Sequence, residues 1–218
     1  MALVAPSLLA ANFLQLEQEC KMVNESEADW FHLDVMDGQF VPNISFGPMI
    51  INFISKIAKK PCDVHLMVKE PMRFANMFKD AGADHLIIHI EACPNLHHDV
   101  ESIKSLGMKP GVAINPATPI AALVDILPNI HHICMMSVDP GFGGQKFIPH
   151  TLEKIKELRQ MIDEKNLPAL IEIDGGVTVE NAQSIIDAGA HVLVAGSTVF
   201  KASDPFAVIS QLKKIESA

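Results

Sequence analysis

The 218-residue sequence lacks a surplus of basic residues. Its 17 lysines and arginines stand against 26 aspartates and glutamates, which gives a formal net charge of −9. A nucleic-acid partner is therefore not expected, because binding a phosphate backbone requires a clustered positive charge. A small phosphorylated substrate stays open, since a few backbone N–H groups are enough to bind one phosphate.

Long apolar runs and paired cysteines are also missing. No stretch of about 18 consecutive apolar residues occurs, so no membrane partner is expected. The first residues have no basic segment and no cleavage site of the secretory type. The four cysteines, Cys20, Cys62, Cys93 and Cys134, form no C-x-x-C pair and are predicted to be reduced thiols in the core. The expected location is the cytoplasm.

Short apolar runs instead alternate with longer amphipathic stretches along the whole chain. Strands are predicted over 3–9, 29–35, 62–67, 84–90, 108–114, 131–138, 168–174 and 191–196. Helices are predicted over 12–26, 47–59, 71–81, 96–106, 119–127, 150–166, 178–188 and 204–216. Eight strand–helix pairs without a linker predict one α/β domain, residues 1–218, with the (β/α)8 TIM-barrel fold, a parallel eight-stranded barrel with outer helices. An open doubly wound sheet is the alternative, although it usually has fewer strands for this length.

A weak internal repeat supports the barrel. The segments 26–29, 81–84 and 188–191 each join the end of a helix to an apolar strand. Their alanines, Ala28, Ala83 and Ala190, are separated by 55 and then 107 residues, which is close to twice 55. The repeating unit is therefore two strand–helix pairs, a quarter of an eight-fold barrel.

Two histidines and two aspartates stand at or near the ends of three predicted strands: His32, Asp34, His65 and Asp174. Catalytic groups of a TIM barrel lie at the carboxyl ends of its strands. Residues 32 and 34 project to the same side of one strand, and Asp174 stands on a strand three places away around the ring. Two nitrogen and two oxygen ligands suit zinc, iron(II), cobalt or manganese better than calcium or magnesium. The two carboxylates, Asp34 and Asp174, also offer two proton-transfer groups, which predicts proton chemistry beside a carbonyl.

Each of these residues alone has a purely structural explanation. A single histidine in a strand is more often part of the core, and a buried aspartate can organise hydrogen bonds. Four of them at one rim favour a site, because carboxylates are costly to bury unless they are paired or bound to a metal. His85, His131, His132 and His191 are interpreted as residues that begin strands, and Glu172 is predicted to lie deeper than Asp174, with Lys109 as a partner.

Glycine-rich segments follow the last three predicted strands: 139–146, 175–176 and 196–197. Glycine lets backbone N–H groups approach an anion closely, and barrel phosphate sites commonly use the loops after strands 7 and 8. One such segment can be a simple tight turn, whereas three at adjacent strand ends favour a phosphate site. Met36, Met67 and Met136 also fall near strand ends, where they either pack or form an apolar lining that excludes water.

Several motifs together resemble the ribulose-phosphate 3-epimerase family of metal-dependent TIM barrels. They are Pro6-Ser-Leu-Leu9, His32-Leu-Asp-Val-Met-Asp-Gly-Gln-Phe-Val-Pro-Asn43, Asp63-Val-His-Leu-Met-Val68, Pro140-Gly-Phe-Gly-Gly-Gln145, Ile173-Asp-Gly-Gly-Val177 and Ala195-Gly-Ser197. The second and fourth motifs are highly specific, and together the motifs run nearly the length of the chain.

The resemblance implies an isomerase of the pentose phosphate pathway that inverts C3 of D-ribulose 5-phosphate to give D-xylulose 5-phosphate through a cis-enediolate. Asp34 would remove the C3 proton and Asp174 would return one to the opposite face. One divalent metal per subunit, zinc before the other three, would be held by His32, Asp34, His65 and Asp174. A homo-oligomer is also implied.

The same resemblance assigns substrate contacts. Ser7 and His65 would contact the sugar, and Met36, Met67 and Met136 would line the reacting carbons. The substrate and its phosphate would be surrounded by Gly141, Phe142, Gly143, Gly144, Gly175, Gly176, Gly196 and Ser197.

Three alternatives remain open. An epimerase for a hexulose phosphate, of the allulose 6-phosphate type, would look nearly identical. Related lyases and synthases on similar barrels carry an Asp-x-Lys-x-x-Asp motif, where this chain has Asp34-Val-Met-Asp37. A non-catalytic phosphate-binding module would not need both Asp34 and Asp174.

Overall fold

Eight parallel strands form the centre of the computed structural model, which describes residues 1–216. Their bounds are Leu3–Pro6 (β1), Phe31–Met36 (β2), Cys62–Met67 (β3), His85–His89 (β4), Lys109–Ile114 (β5), His132–Met136 (β6), Leu170–Asp174 (β7) and Val192–Ala195 (β8). Each strand pairs with its neighbours in the order β1-β8-β7-β6-β5-β4-β3-β2. A parallel bridge between Ser7 and His32 closes the ring. The predicted TIM barrel is confirmed, and residues 217 and 218 of the predicted domain lie outside the described residues.

The helices cover the outside of this barrel. Within residues 1–216 the α-helices are Leu16–Glu25 (α1), Pro48–Ile57 (α2), Ala75–Asp80 (α3), Leu96–Ser105 (α4), Thr151–Glu164 (α5), Val179–Asp187 (α6), Ser197–Phe200 (α7) and Pro205–Lys213 (α8). Short 3-10 helices occupy Leu8–Ala10, Phe13–Gln15, Pro71–Arg73, Ile90–Ala92, Ile120–Leu123 and Leu127–Asn129.

Two sequence predictions of local structure were wrong, and one element was missed. The helix expected over 119–127 is replaced by 3-10 helices at Ile120–Leu123 and Leu127–Asn129, because Pro128 has no N–H to donate to the carbonyl of Val124, as an α-helix here would require. The first strand ends at Pro6 rather than at residue 9, since the Ser7 hydroxyl accepts the N–H of Leu9 and starts a 3-10 turn. The short α7 was not predicted, because four residues are too few to show a helical period.

The strands are apolar on one side and mixed on the other. Phe31, Leu33 and Val35 of β2 belong to the large core between barrel and helices. His32 and Asp34, which alternate with them, point to the other side of the strand. Both sets are buried, as parallel strands covered on both faces require. The barrel interior is therefore the place where polar groups of several strands can meet.

The repeated segments noted in the sequence have one structural function. Asp29 accepts a hydrogen bond from the N–H of Val4 at 2.8 Å, and Asp84 accepts one from Cys62 at 2.8 Å. His191 accepts the N–H of Ile171 through Nδ1 at 3.0 Å. In each case a side chain one or two residues before an even-numbered strand bonds to the preceding strand, at the amino-terminal end of the barrel.

Two further predictions concern the cysteines and membrane-spanning segments. All four cysteines are buried and free, as predicted. Among the described residues, no helix combines the length and apolarity that crossing a membrane requires.

Candidate metal and substrate site

Four side chains converge inside the carboxyl-terminal half of the barrel; these residues, His32, Asp34, His65 and Asp174, are called the upper cluster. Each offers one ligand atom, and the four atoms lie within 4.8 Å of one another. Oδ1 of Asp34 lies 3.2 Å from Nε2 of His32 and 3.2 Å from Nδ1 of His65. Oδ2 of Asp174 lies 3.8 and 3.5 Å from the same two nitrogens. The structure therefore brings the four predicted residues together, although His32 sits near the start of β2 rather than at its end.

The other nitrogen of each imidazole has its own partner. Nδ1 of His32 bonds to Oδ2 of Asp63 at 2.8 Å. Nε2 of His65 lies 2.9 Å from Nε2 of His89, whose Nδ1 lies 3.2 Å from Glu91. Such partners fix the orientation of a histidine ring and the nitrogen that remains for a ligand. His89 therefore supports His65.

These contacts shift the proton equilibria of the cluster. Burial opposes charge on Asp34, but His32 and His65 outweigh burial and hold the pKa of Asp34 below its usual range. Burial lowers the pKa of His65, but the carboxylates of Asp174 and Asp34 raise it to about 9. The carboxylates and imidazoles of the cluster therefore stabilise each other's charged forms.

Ser7 holds the remaining oxygen of Asp34. Its hydroxyl donates to Oδ2 of Asp34 at 2.5 Å and accepts the N–H of Leu9 at 3.3 Å. The serine is 5% exposed, so water does not compete freely for this bond. One oxygen of Asp34 thus contacts the two imidazoles, and the other accepts the hydroxyl of Ser7. These contacts orient the carboxylate.

A cavity of about 400 Å³ lies directly above the upper cluster. Asp34 and Asp174 form part of its wall, whereas neither His32 nor His65 lines it, and both histidines are fully buried beneath it. The remaining sequence-predicted residues in the wall are Ser7, Met36, Met67, Met136, Gly141, Phe142, Gly143, Gly144, Gly175, Gly176, Gly196 and Ser197. The two carboxylates are therefore accessible to a ligand, while the two imidazoles hold their positions from below.

The glycine segments form one side of this cavity. Gly176 has a φ of +63°, and a Cβ at this position would lie 2.3 Å from the backbone nitrogen of Phe147. Only glycine fits such a contact, so the loops after β6 and β7 pack backbone to backbone. Gln145 donates to the carbonyls of Asp139 and Phe142, and Asn43 donates to that of Gly141, which holds the loop after β6 in place.

Several residues in the cavity wall were not assigned to the site from the sequence. Lys146, Thr178, Asn181 and Thr198 all line the cavity. Thr178 and Asn181 form a capping box at the start of α6, and a threonine followed three residues later by an amide was the signal for it. The first turn of α7 follows β8 at this side, which completes the loop-and-short-helix arrangement common at barrel phosphate sites.

The donor set of the upper cluster fits a divalent metal. Ligand bonds of about 2.0–2.1 Å at a tetrahedral centre place neighbouring ligand atoms about 3.3 Å apart. The four distances between a nitrogen and an oxygen are 3.2, 3.2, 3.5 and 3.8 Å. Two imidazoles and two carboxylates are borderline ligands of the kind that zinc, iron(II), cobalt and manganese accept.

A second group of polar side chains, called the lower cluster, lies deeper in the barrel: Asp63, His85, His132 and Glu172. All four are at most 1% exposed. Oε1 of Glu172 lies 3.1 Å from Nδ1 of His32, and Oε2 lies 3.5 Å from Nε2 of His132. The predicted depth of Glu172 is confirmed, but Lys109 is exposed on β5 and is not its partner. Burial, followed by the charge of Asp63, raises the pKa of Glu172.

Fold and site together define the class: a TIM-barrel enzyme whose reacting groups and ligand cavity lie at the carboxyl ends of its strands. Comparison with known proteins agrees. The model of the Ribulose-phosphate 3 epimerase family matches residues 3–200. The chain belongs to this family, as its motifs predicted.

Named relatives cover nearly the entire chain. A ribulose-phosphate 3-epimerase of Bacillus subtilis is 48% identical over 98% of this chain and 99% of its own length. One of Synechocystis is 50% identical over 91% of this chain and 87% of its own. These relatives make the chain an enzyme of the epimerase class. The solved 3-hexulose-6-phosphate synthase of Salmonella typhimurium matches with a TM-score of 0.68 at 18% identity, over 99% of this chain and 98% of that one, and shows a shared fold.

Proposed function

We propose that this enzyme interconverts D-ribulose 5-phosphate and D-xylulose 5-phosphate by inverting C3 in a metal-dependent reaction. The observation that carries the proposal is the pair of carboxylates, Asp34 and Asp174, which enter one cavity from β2 and β7. Inversion at a carbon beside a carbonyl needs one proton-transfer group on each face of a planar intermediate. Two aspartates on strands three places apart in the ring supply that arrangement.

His32, Asp34, His65 and Asp174 would hold one divalent ion, with zinc first among the candidates and iron(II), cobalt or manganese after it. When bound, the ion supplies Lewis-acid stabilisation of charge on the substrate oxygens. Asp63 and Glu172 keep His32 oriented, and His89 keeps His65 oriented. The chain itself therefore provides both the ligands and their support.

Asp34 is the group proposed to remove the C3 proton. Its pKa is held low by His32 and His65 despite burial, and the Ser7 hydroxyl fixes its second oxygen. The ionised carboxylate is the form that can accept a proton, and its contacts hold it in one orientation. Asp174, with a side chain 14% exposed, would return a proton to the opposite face of the cis-enediolate.

The cavity wall divides into parts with different tasks. Met36, Met67 and Met136 would lie against the reacting carbons, where they exclude water without donating protons. Ser7 would contact the sugar at the same end of the cavity. His65, which lies beneath the cavity wall, would contact the sugar from that side. The glycine segments, with Ser197 and the first turn of α7, would hold the phosphate through backbone N–H groups.

The direct test is epimerisation in D2O. Incubation of metal-replete enzyme with ribulose 5-phosphate should place deuterium at C3 and yield xylulose 5-phosphate, both measured by NMR. The absence of exchange would defeat the proposal. Parallel reactions with hexulose 6-phosphates compare the rate on the pentose substrate with the rate on the allulose type. A faster hexulose reaction would reassign the substrate.

The cellular setting forms a separate part of the proposal. We expect a cytoplasmic enzyme of the pentose phosphate pathway that assembles as a homo-oligomer. Light scattering coupled to size-exclusion chromatography measures the assembly, and a monomer at micromolar concentration would contradict it.

A further inference from the structure

Three imidazoles meet at the amino-terminal end of the barrel, on the side away from the cavity. His85 begins β4, His132 begins β6, and His131 immediately precedes β6; these three residues are called the lower triad. Each offers one ring nitrogen, and the three nitrogens lie within 4.8 Å of one another. Nδ1 of His131 lies 3.2 Å from Nδ1 of His132. The epimerase proposal makes no use of this arrangement.

Two of these rings turn their other nitrogen toward one carboxylate. Oδ1 of Asp63 lies 3.4 Å from Nδ1 of His85 and 3.3 Å from Nε2 of His132. All three atoms are buried and make no hydrogen bond among the described residues. A histidine that binds a metal usually has a carboxylate at its second nitrogen. Asp63 stands in that position for both rings, which leaves Nε2 of His85 and Nδ1 of His132 for a ligand.

The third ring, His131, is free of the bond that its position predicts. Asp29, Asp84 and His191 each accept a side-chain hydrogen bond from the N–H of the preceding odd-numbered strand. His131 occupies the same position before β6, because its own N–H donates to the carbonyl of Pro110 as that of Asp84 does to Cys62. Proline has no N–H to give. The ring of His131 is therefore released from β5 and lies against His132.

We propose that the lower triad binds a second divalent cation of the zinc type, through one nitrogen each of His85, His131 and His132, with Asp63 orienting two of the rings. Imidazole ligands suit zinc, cobalt, nickel and copper. Two metal–nitrogen bonds of about 2.0–2.1 Å at the tetrahedral angle place their nitrogens about 3.3 Å apart. The separation of 3.2 Å between His131 and His132 agrees with this value.

Access is compatible with such an ion. His131 is half-buried, whereas His85 and His132 are not accessible. An ion would therefore enter beside His131, and water would complete the coordination there.

The test counts metal ions. Protein stripped with a chelator is titrated with Zn²⁺ by calorimetry, and bound zinc is measured by elemental analysis after gel filtration. His131→Gln should bind one ion fewer per chain than the wild type. His97→Gln, which changes an exposed histidine on α4, should bind as many as the wild type. A His131→Gln protein with the wild-type count would overturn the proposal, whatever the upper cluster binds.

A second variant and a second signal protect the test against a folding defect. His85→Gln should also lose one ion, and the Co²⁺ absorption of the wild type should fall by one site in both variants. His131→Gln should keep its epimerase activity, since the triad does not reach the cavity. A wild-type protein that binds no more zinc than either variant shows that protons, and not a metal, occupy these nitrogens.

Discussion

The upper and lower clusters both combine histidines with carboxylates and share strands β3 and β7, but they differ in depth. Asp174 and Glu172 are two residues apart on β7, and His65 and Asp63 are two apart on β3, so each pair projects to one side. The upper carboxylates reach the cavity. In the lower cluster, several carboxylate and imidazole atoms are buried without a hydrogen bond. A shift of two residues along a strand therefore separates groups that can react from groups that can only support.

The largest expected difference in kcat is between variants of the two carboxylates of β7. Asp174→Asn should lower kcat by about 10²- to 10⁴-fold, because a positioned proton-transfer group is lost, while the amide oxygen can still bind the metal. Glu172→Gln, two residues deeper, should change kcat by less than about tenfold, as an effect on orientation alone. Steady-state kinetics with metal content determined on the same samples measures both. Equal losses of kcat in the two variants would mean that depth on β7 does not separate a reacting carboxylate from a supporting one.

The next effect concerns the metal rather than the chemistry. Asp63→Asn removes the carboxylate at Nδ1 of His32, and such partners typically account for about 10- to 100-fold in metal affinity. Competition with a chromogenic chelator measures the affinity. Asp84→Asn is the matched control, because that aspartate accepts a backbone N–H from Cys62. If Asp63→Asn keeps wild-type affinity, the lower cluster does not support the upper one.

A smaller effect is expected at the second oxygen of Asp34. Ser7→Ala removes a hydrogen bond to a charged group, worth about 1.5–3 kcal/mol when no water replaces it. Water from the cavity offsets part of the loss, so kcat/KM should fall about tenfold. Ser45→Ala is the control, since its hydroxyl donates to the backbone carbonyl of the same Asp34. A larger loss of kcat/KM from Ser45→Ala would mean that Asp34 is oriented mainly through its backbone carbonyl.

The smallest effect tests the amino-terminal end of the barrel through pH. Burial, followed by Arg159, lowers the pKa of His191, whose Nδ1 accepts the N–H of Ile171. As pH falls through about 6.5, the unfolded chain binds a proton that the folded chain resists, so stability decreases. His191→Asp introduces a carboxylate like those at the equivalent positions Asp29 and Asp84. The variant should reduce the loss of stability at low pH by about 1 kcal/mol or less.

Urea unfolding at pH 7.5, 6.5 and 5.5 measures that slope. Wild type and His191→Asp should unfold at similar free energies at the highest pH and diverge at the lowest. Parallel curves for the two proteins would mean that protonation of His191 is not resisted in the folded state.

The sequence predicted the upper cluster because alternation along a strand and the ring order are both readable from it. His32, Asp34, His65 and Asp174 needed only a strand count and a side of each strand. The lower triad could not be predicted in that way. His85 and His132 begin strands as predicted, whereas His131 immediately precedes β6. The convergence of the three depends on the register between β4, β5 and β6, which no periodicity records.

Two predictions were wrong for different physical reasons. Glu172 was assigned Lys109 as a partner because a buried carboxylate needs a cation, yet the side chain of Lys109 is exposed while His32 and His132 face the acid. The predicted helix over 119–127 followed an apolar pattern, but Pro128, just after it, lacks the N–H that would bond to Val124. A local preference was outweighed by tertiary geometry in the first case and by one proline in the second.

The quarter repeat also has a consequence for how the barrel folds. The side-chain bonds from Asp29, Asp84 and His191 span only 25, 22 and 20 residues, so each one ties a single β–α–β unit within a short loop. Short loops cost little closure entropy, and local contacts form early. The unit from β5 to β6 has no such bond, because Pro110 replaces the donor, and it is joined by 3-10 turns. We expect its amides to become protected from exchange after those of the other three units.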